Sequence, residues 1–96
     1  PPAETARREL AEEVGLAAGT WTQGPHFYTA PGFCDELMHL YLATDLREDT
    51  SGEADADEVL EPAWMTISEA LAAIEDGRIR DAKTIVGVSW LARRLP

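Results

Sequence analysis

Apolar residues recur at helical spacing through residues 3–14, where Ala3, Ala6, Leu10 and Val14 form one stripe. No Gly or Pro interrupts this stretch, and its Ala, Glu, Arg and Leu residues favour helix. Pro1 or Pro2 suits the helix entry, where the missing N–H would be unpaired anyway. Gly15 stands where a left-handed residue often ends a helix. The pattern then changes. Residues 20–29 carry Trp21, Phe27 and Tyr28 and predict a strand, with a break at Gly24-Pro25. Residues 30–36 (APGFCDE) predict a loop with turn chemistry at Pro31-Gly32, and residues 37–43 (LMHLYLA) a buried strand. Residues 45–58 are acidic and rich in small side chains, with no core-forming pattern, and predict a mobile loop. A short strand is expected over 59–65, with Pro62 marking a sheet edge or a bulge. Thr66-Ile67-Ser68-Glu69 has capping-box spacing. The helix after it shows Ile67, Ala70, Leu71 and Ile74 on one face and stops at Gly77. Asp81 can cap a last helix over 82–94, with Arg93 and Arg94 at the end that favours cations. The order helix, strands, helices predicts an α/β fold, a mixed sheet flanked by helices.

Composition narrows the class. The 96 residues suit one small domain, and 45% hydrophobic content fits a globular chain. A formal net charge of −10 argues against a nucleic-acid-binding surface, which needs a basic stripe. It leaves a nucleotide ligand open, because a bound metal can reverse the local potential. Cys34 is the only cysteine, so no internal disulfide forms and a reducing compartment is expected. No apolar run approaches the roughly 18 residues of a membrane span, so a cytoplasmic protein without membrane contacts is expected. The chain starts at Pro1-Pro2 without an initiator Met, and the expectation is the later part of a longer polypeptide.

The stretch Arg8-Glu9-Leu10-Ala11-Glu12-Glu13-Val14-Gly15-Leu16 carries the strongest chemistry. Glu9, Glu12 and Glu13 stand at i, i+3 and i+4 and share a helix face. Like charges at that spacing repel, so the face either stays in water or takes a cation. Hard oxygen donors on a rigid element suit Mg²⁺, with Mn²⁺ the alternative. His26 and His39 are isolated in strand patterns and read as core or edge residues rather than ligands. Trp21, Trp64 and Trp90 read as core or interface rather than stacking platforms. Cys34 has no base adjacent in sequence to activate it as a nucleophile.

This stretch resembles the second half of the Nudix box, G-x(5)-E-x(7)-R-E-U-x-E-E-x-G-U with U a bulky aliphatic residue. Arg8, Glu9, Leu10, Glu12, Glu13, Gly15 and Leu16 match every fixed position from the Arg onward. The box's first Gly and first Glu would fall before Pro1. The resemblance therefore implies the C-terminal portion of a single Nudix domain over 1–96, an α/β/α sandwich lacking its N-terminal part. It implies hydrolysis of the pyrophosphate in a nucleoside diphosphate linked to another group. Glu9 and Glu13 match the usual metal ligands, and Glu12 a ligand or a partner to one. Arg8 matches the residue that orients a box glutamate.

More of the chain resembles the ADP-ribose pyrophosphatase branch. Pro31 lies 15 residues beyond Leu16, within a segment similar to that branch's substrate loop. By that resemblance Pro31, Gly32 and Phe33 lie against substrate, and Glu36 contacts substrate or a dimer interface. Aligning on residues 59–65 places the branch's catalytic glutamate at Glu58, which would orient or deprotonate the attacking water. Asp55 and Asp57 are alternatives for that role. Residues 77–84 (GRIRDAKT) resemble the approach to the branch's last helix and read as architecture. The implied reaction is ADP-ribose plus water giving AMP and ribose 5-phosphate, in a homodimer. Two alternatives stand beside it. One is a Nudix hydrolase for another nucleoside diphosphate sugar, such as GDP-mannose, or for a dinucleoside polyphosphate. The other is a non-catalytic Nudix-fold nucleotide-binding module.

Overall fold

The helix–strand–helix order expected from the hydrophobic pattern is the order observed. The computed structural model describes residues 1–33, 35–49 and 63–95. Their elements are α1 (Pro2–Glu9), a π-helical turn (Leu10–Val14), β1 (Leu16–Tyr28), β2 (Leu37–Glu48), α2 (Ile67–Glu75) and α3 (Ala82–Arg94). The α/β content agrees with the expected class. Among the described residues the sheet is one antiparallel pair, β1 with β2. The chain forms two compact units, Pro1–Gln23 with Tyr41–Ala63 and Gly24–Leu40 with Trp64–Pro96.

In the first unit, α1 starts at Pro2 after Pro1, as the entry signal predicts. The Arg7 guanidinium lies 5.7 Å from the centre of the Trp21 ring, and Trp21 meets Tyr41 edge-on at 6.4 Å. A cation over an indole face and an edge-to-face ring pair each add about 0.5–1.5 kcal/mol beyond area burial. Both strands run further than their sequence signals. β1 begins at Leu16 rather than 20, and β2 reaches Glu48 rather than stopping at 43. The two extensions pair with each other. Asp49 N–H donates to the Gly15 carbonyl at 3.0 Å, and Thr20 Oγ1 donates to the Asp45 carboxylate at 2.9 Å. Backbone pairing thus draws the start of the acidic segment, read as loop from 45 onward, into the sheet.

In the second unit, β1 passes through Gly24-Pro25 without a break. Each strand of a two-stranded sheet is an edge, so a residue without an N–H can turn that side outward. Glycine at position 24 relieves crowding. A Cβ there would lie 3.1 Å from both the Leu40 carbonyl oxygen and the Trp90 indole. Neither neighbour yields easily, one being backbone and the other a rigid ring. Gly24→Ala is expected to destabilise the protein by about 1–3 kcal/mol, read as a lowered thermal midpoint.

α2 opens as its capping box predicts, with Glu69 N–H donating to Thr66 Oγ1 at 3.1 Å. It ends at Glu75 with Asp76 as its cap, followed by Gly77 at φ 86°. α3 opens on Asp81, whose carboxylate accepts from Thr84 N–H and Oγ1, both at 2.9 Å. Those bonds, the backbone one foremost, hold the Asp81 carboxyl below the usual carboxylate range. The Arg78 N–H does the same for Asp76, aided by the Arg78 guanidinium. α2 packs on α3. Ala70 and Ala73 are the buried residues among those described. Ala73 replaces the expected Leu71, which is 42% exposed. β2 is half-buried rather than buried over 38–43, and Leu37 is exposed. Trp64 is 72% exposed, unlike the half-buried Trp21 and Trp90. Residues 63–65 carry no strand, and the rest of the strand expected over 59–65 lies outside the described residues.

Candidate active site

The carboxylate stretch sits where α1 widens into the π turn. The Gly15 N–H is shared between the Ala11 and Leu10 carbonyls, and Gly15 adopts φ 73°, ψ 31°. This is the left-handed exit expected at that position. The i→i+5 spacing of a π turn is wider than an α turn and often marks functional segments. Each residue then advances by less than the α-helical step.

Glu9 is exposed, and Glu12 and Glu13 are half-buried. None of the three forms an ion pair with a described residue. Arg8 is exposed and likewise makes no ion pair among the described residues. Its neighbour Arg7 is the one committed to packing, on Trp21. No three acidic, histidine or cysteine side chains among the described residues converge on one point. The donor chemistry nonetheless fits a hard divalent cation: three carboxylates within five residues, none in an ion pair with a described residue.

In the second unit, residues 30–33 form a tight turn closed by Phe33 N–H to the Ala30 carbonyl at 2.9 Å. Pro31 fits its second position, and Gly32, at φ 83°, the third, where a positive φ is needed. Thr29 fastens the loop ends, its N–H donating to the Glu36 carbonyl at 3.3 Å and its hydroxyl to the Glu36 carboxylate at 2.8 Å. Glu36 thus has a local role in closing the loop. Phe33 projects from the turn, 93% exposed. A shallow cavity of about 230 Å³ lies against Tyr28, Pro31, Gly32 and Asp35. From sequence Tyr28 is read only as a strand residue and Asp35 only as part of the loop; their position flanking the Pro-Gly turn was the available signal. Glu58, Asp55, Asp57 and Cys34 lie outside the described residues.

These features agree with comparisons to known proteins. An ADP-ribose pyrophosphatase of Bacillus subtilis is 41% identical over 91 residues, covering 94% of this chain and 49% of that protein. An ADP-ribose pyrophosphatase of Mycobacterium tuberculosis is 46% identical over 89 residues, covering 92% of this chain and 43% of that protein. A GDP-mannose pyrophosphatase of Pectobacterium atrosepticum is 38% identical over 87 residues, covering 88% and 45%. The chain spans about half the length of these curated relatives. The NUDIX domain model matches residues 1–86, a span that takes in the carboxylate turn, both strands and the Pro31-Gly32 loop, and the chain belongs to that family.

Proposed function

We propose that the protein to which this chain belongs hydrolyses the pyrophosphate of a nucleoside diphosphate sugar, with ADP-ribose the substrate and AMP and ribose 5-phosphate the products. The observation that carries this reading is the set of carboxylates Glu9, Glu12 and Glu13, without ion pairs among the described residues, at the end of α1 and on the turn closed by a left-handed Gly15. The names of the Bacillus and Mycobacterium relatives support the choice of substrate. Glu9 and Glu13 would hold Mg²⁺, with Mn²⁺ able to replace it, and Glu12 would ligate or brace a ligand. Bound there, the ion supplies neutralisation of pyrophosphate charge and Lewis-acid polarisation.

The chain's own residues do the rest. Arg8 has no competing ion pair among the described residues and is free to orient a box glutamate. Pro31 and Gly32 hold the turn rigid, so that Phe33 can pack against substrate. Glu36 keeps the loop closed through Thr29. Glu58 orients the attacking water and takes its proton as the new P–O bond forms and the bridging P–O bond breaks. The reading includes a cytoplasmic location and a homodimer, in which the exposed Trp64 and Met65 would find cover.

The Pectobacterium relative favours a second reading, with GDP-mannose in place of ADP-ribose. Steady-state assays of the intact protein with Mg²⁺ separate the two. ADP-ribose is expected to give the highest kcat/KM among ADP-ribose, GDP-mannose and a dinucleoside polyphosphate. Preference for GDP-mannose would move the assignment to the second reading. Absence of turnover with all three, in Mg²⁺ and in Mn²⁺, would leave a nucleotide-binding module.

A further inference from the structure

His26 on β1 and His39 on β2 face one another within the second unit, their ring centres 5.7 Å apart and their planes tilted by 30°. The backbone fixes this pairing. Thr29 N–H donates to the Glu36 carbonyl, and three residues back on one strand and three forward on the other lie His26 and His39. In an antiparallel pair, such residues are direct cross-strand neighbours on one face. Neither imidazole makes a hydrogen bond or ion pair with a described residue. His26 is exposed and His39 half-buried, so the pair is open to solvent on one side.

We propose that His26 and His39 form a two-imidazole site for a borderline transition-metal dication, Cu²⁺, Ni²⁺ or Zn²⁺, with water completing the coordination. A metal about 2.0–2.1 Å from one nitrogen of each ring sets the ring centres roughly 4.5–6 Å apart, the wider values at larger angles between the two ligands. The observed 5.7 Å lies within that span. Rotation about the histidine side-chain torsions then aims one nitrogen of each ring at a common point, without moving the strands. The donor set gives the selectivity. Imidazole favours Cu²⁺, Ni²⁺ and Zn²⁺, with Cu²⁺ bound most tightly, whereas Mg²⁺ prefers carboxylate and water. The site therefore differs in chemistry from the carboxylates of residues 9–13 and does not depend on the hydrolase reading. Its occupant would bridge β1 and β2 close to the turn at residues 30–33, tying together the strands that carry it.

The test is a titration of the intact, untagged protein with Zn²⁺, followed by the histidine ring resonances and by calorimetry, with Cu²⁺ and Ni²⁺ compared by calorimetry. The His26 and His39 signals are expected to move together with Zn²⁺ and to stay in place with Mg²⁺. His26→Ala and His39→Ala should each weaken binding at least about tenfold, the lower end of what losing even a supporting partner costs. His26→Gln, at the exposed position, gives the same loss without disturbing the strand. Response of only one histidine, or affinity unchanged in both single variants, would overturn the proposal, the first leaving a lone surface imidazole and the second a site on the carboxylates.

Discussion

Glu13→Gln in the intact protein is expected to lower kcat for ADP-ribose by about 10²–10³-fold, with Glu9→Gln close behind. The substitution keeps the shape of the side chain and removes its charge, so packing is preserved while a hard cation loses an anionic oxygen. Metal-assisted charge stabilisation amounts to several kcal/mol, and each 1.36 kcal/mol is a factor of ten. Glu9 and Glu13 stand four residues apart and would hold the same ion, so the double variant should fall well short of the product of the single effects. Thermal midpoints should stay near wild type, because neither carboxylate is committed to an ion pair with a described residue. Glu4→Gln, on an exposed first-turn position of α1, serves as the control and should leave turnover unchanged. Retention of full activity by both Glu9→Gln and Glu13→Gln would remove the metal assignment.

What was legible in the sequence was local. Thr66 and Asp81 cap α2 and α3 through bonds to residues three positions on, and such spacing is visible in a linear string. Gly15 and the Pro31-Gly32 pair were readable for the same reason, since positive φ selects glycine. The box positions from Arg8 to Leu16 were readable as a pattern of residue types. What was not legible depended on partners distant in sequence. β2 continues through Asp45 and Glu48 because residues 15–20 offer it hydrogen bonds, a fact that no property of an acidic stretch announces. The facing of His26 and His39 follows from strand register, and each alone looked like an ordinary strand histidine. Ala73 rather than Leu71 is buried because the packing of α2 selects the face, and helical periodicity permits either. The π turn over Leu10–Val14 was also missed, since its residues favour an ordinary helix and only the sharing of the Gly15 N–H reveals it.

Glu58→Gln is expected to reduce kcat by about 10²–10⁴-fold, the usual contribution of a positioned general base, with little change in KM. Asp55→Asn and Asp57→Asn should stay within a few-fold of wild type. All three residues belong to one acidic segment, so a purely electrostatic role would make their effects similar. A large loss at Glu58 alone therefore identifies a specific proton acceptor. A large loss at Asp57 or Asp55, with Glu58→Gln active, would move the base to that residue. Metal concentration separates this variant from those of the box. Raising Mg²⁺ should restore part of the activity of Glu13→Gln, whose defect is weakened binding of the ion. The same titration should leave Glu58→Gln unchanged, because a missing proton acceptor is not replaced by a fuller metal site. Equal rescue of both would place Glu58 among the metal ligands and leave the activation of water to another group.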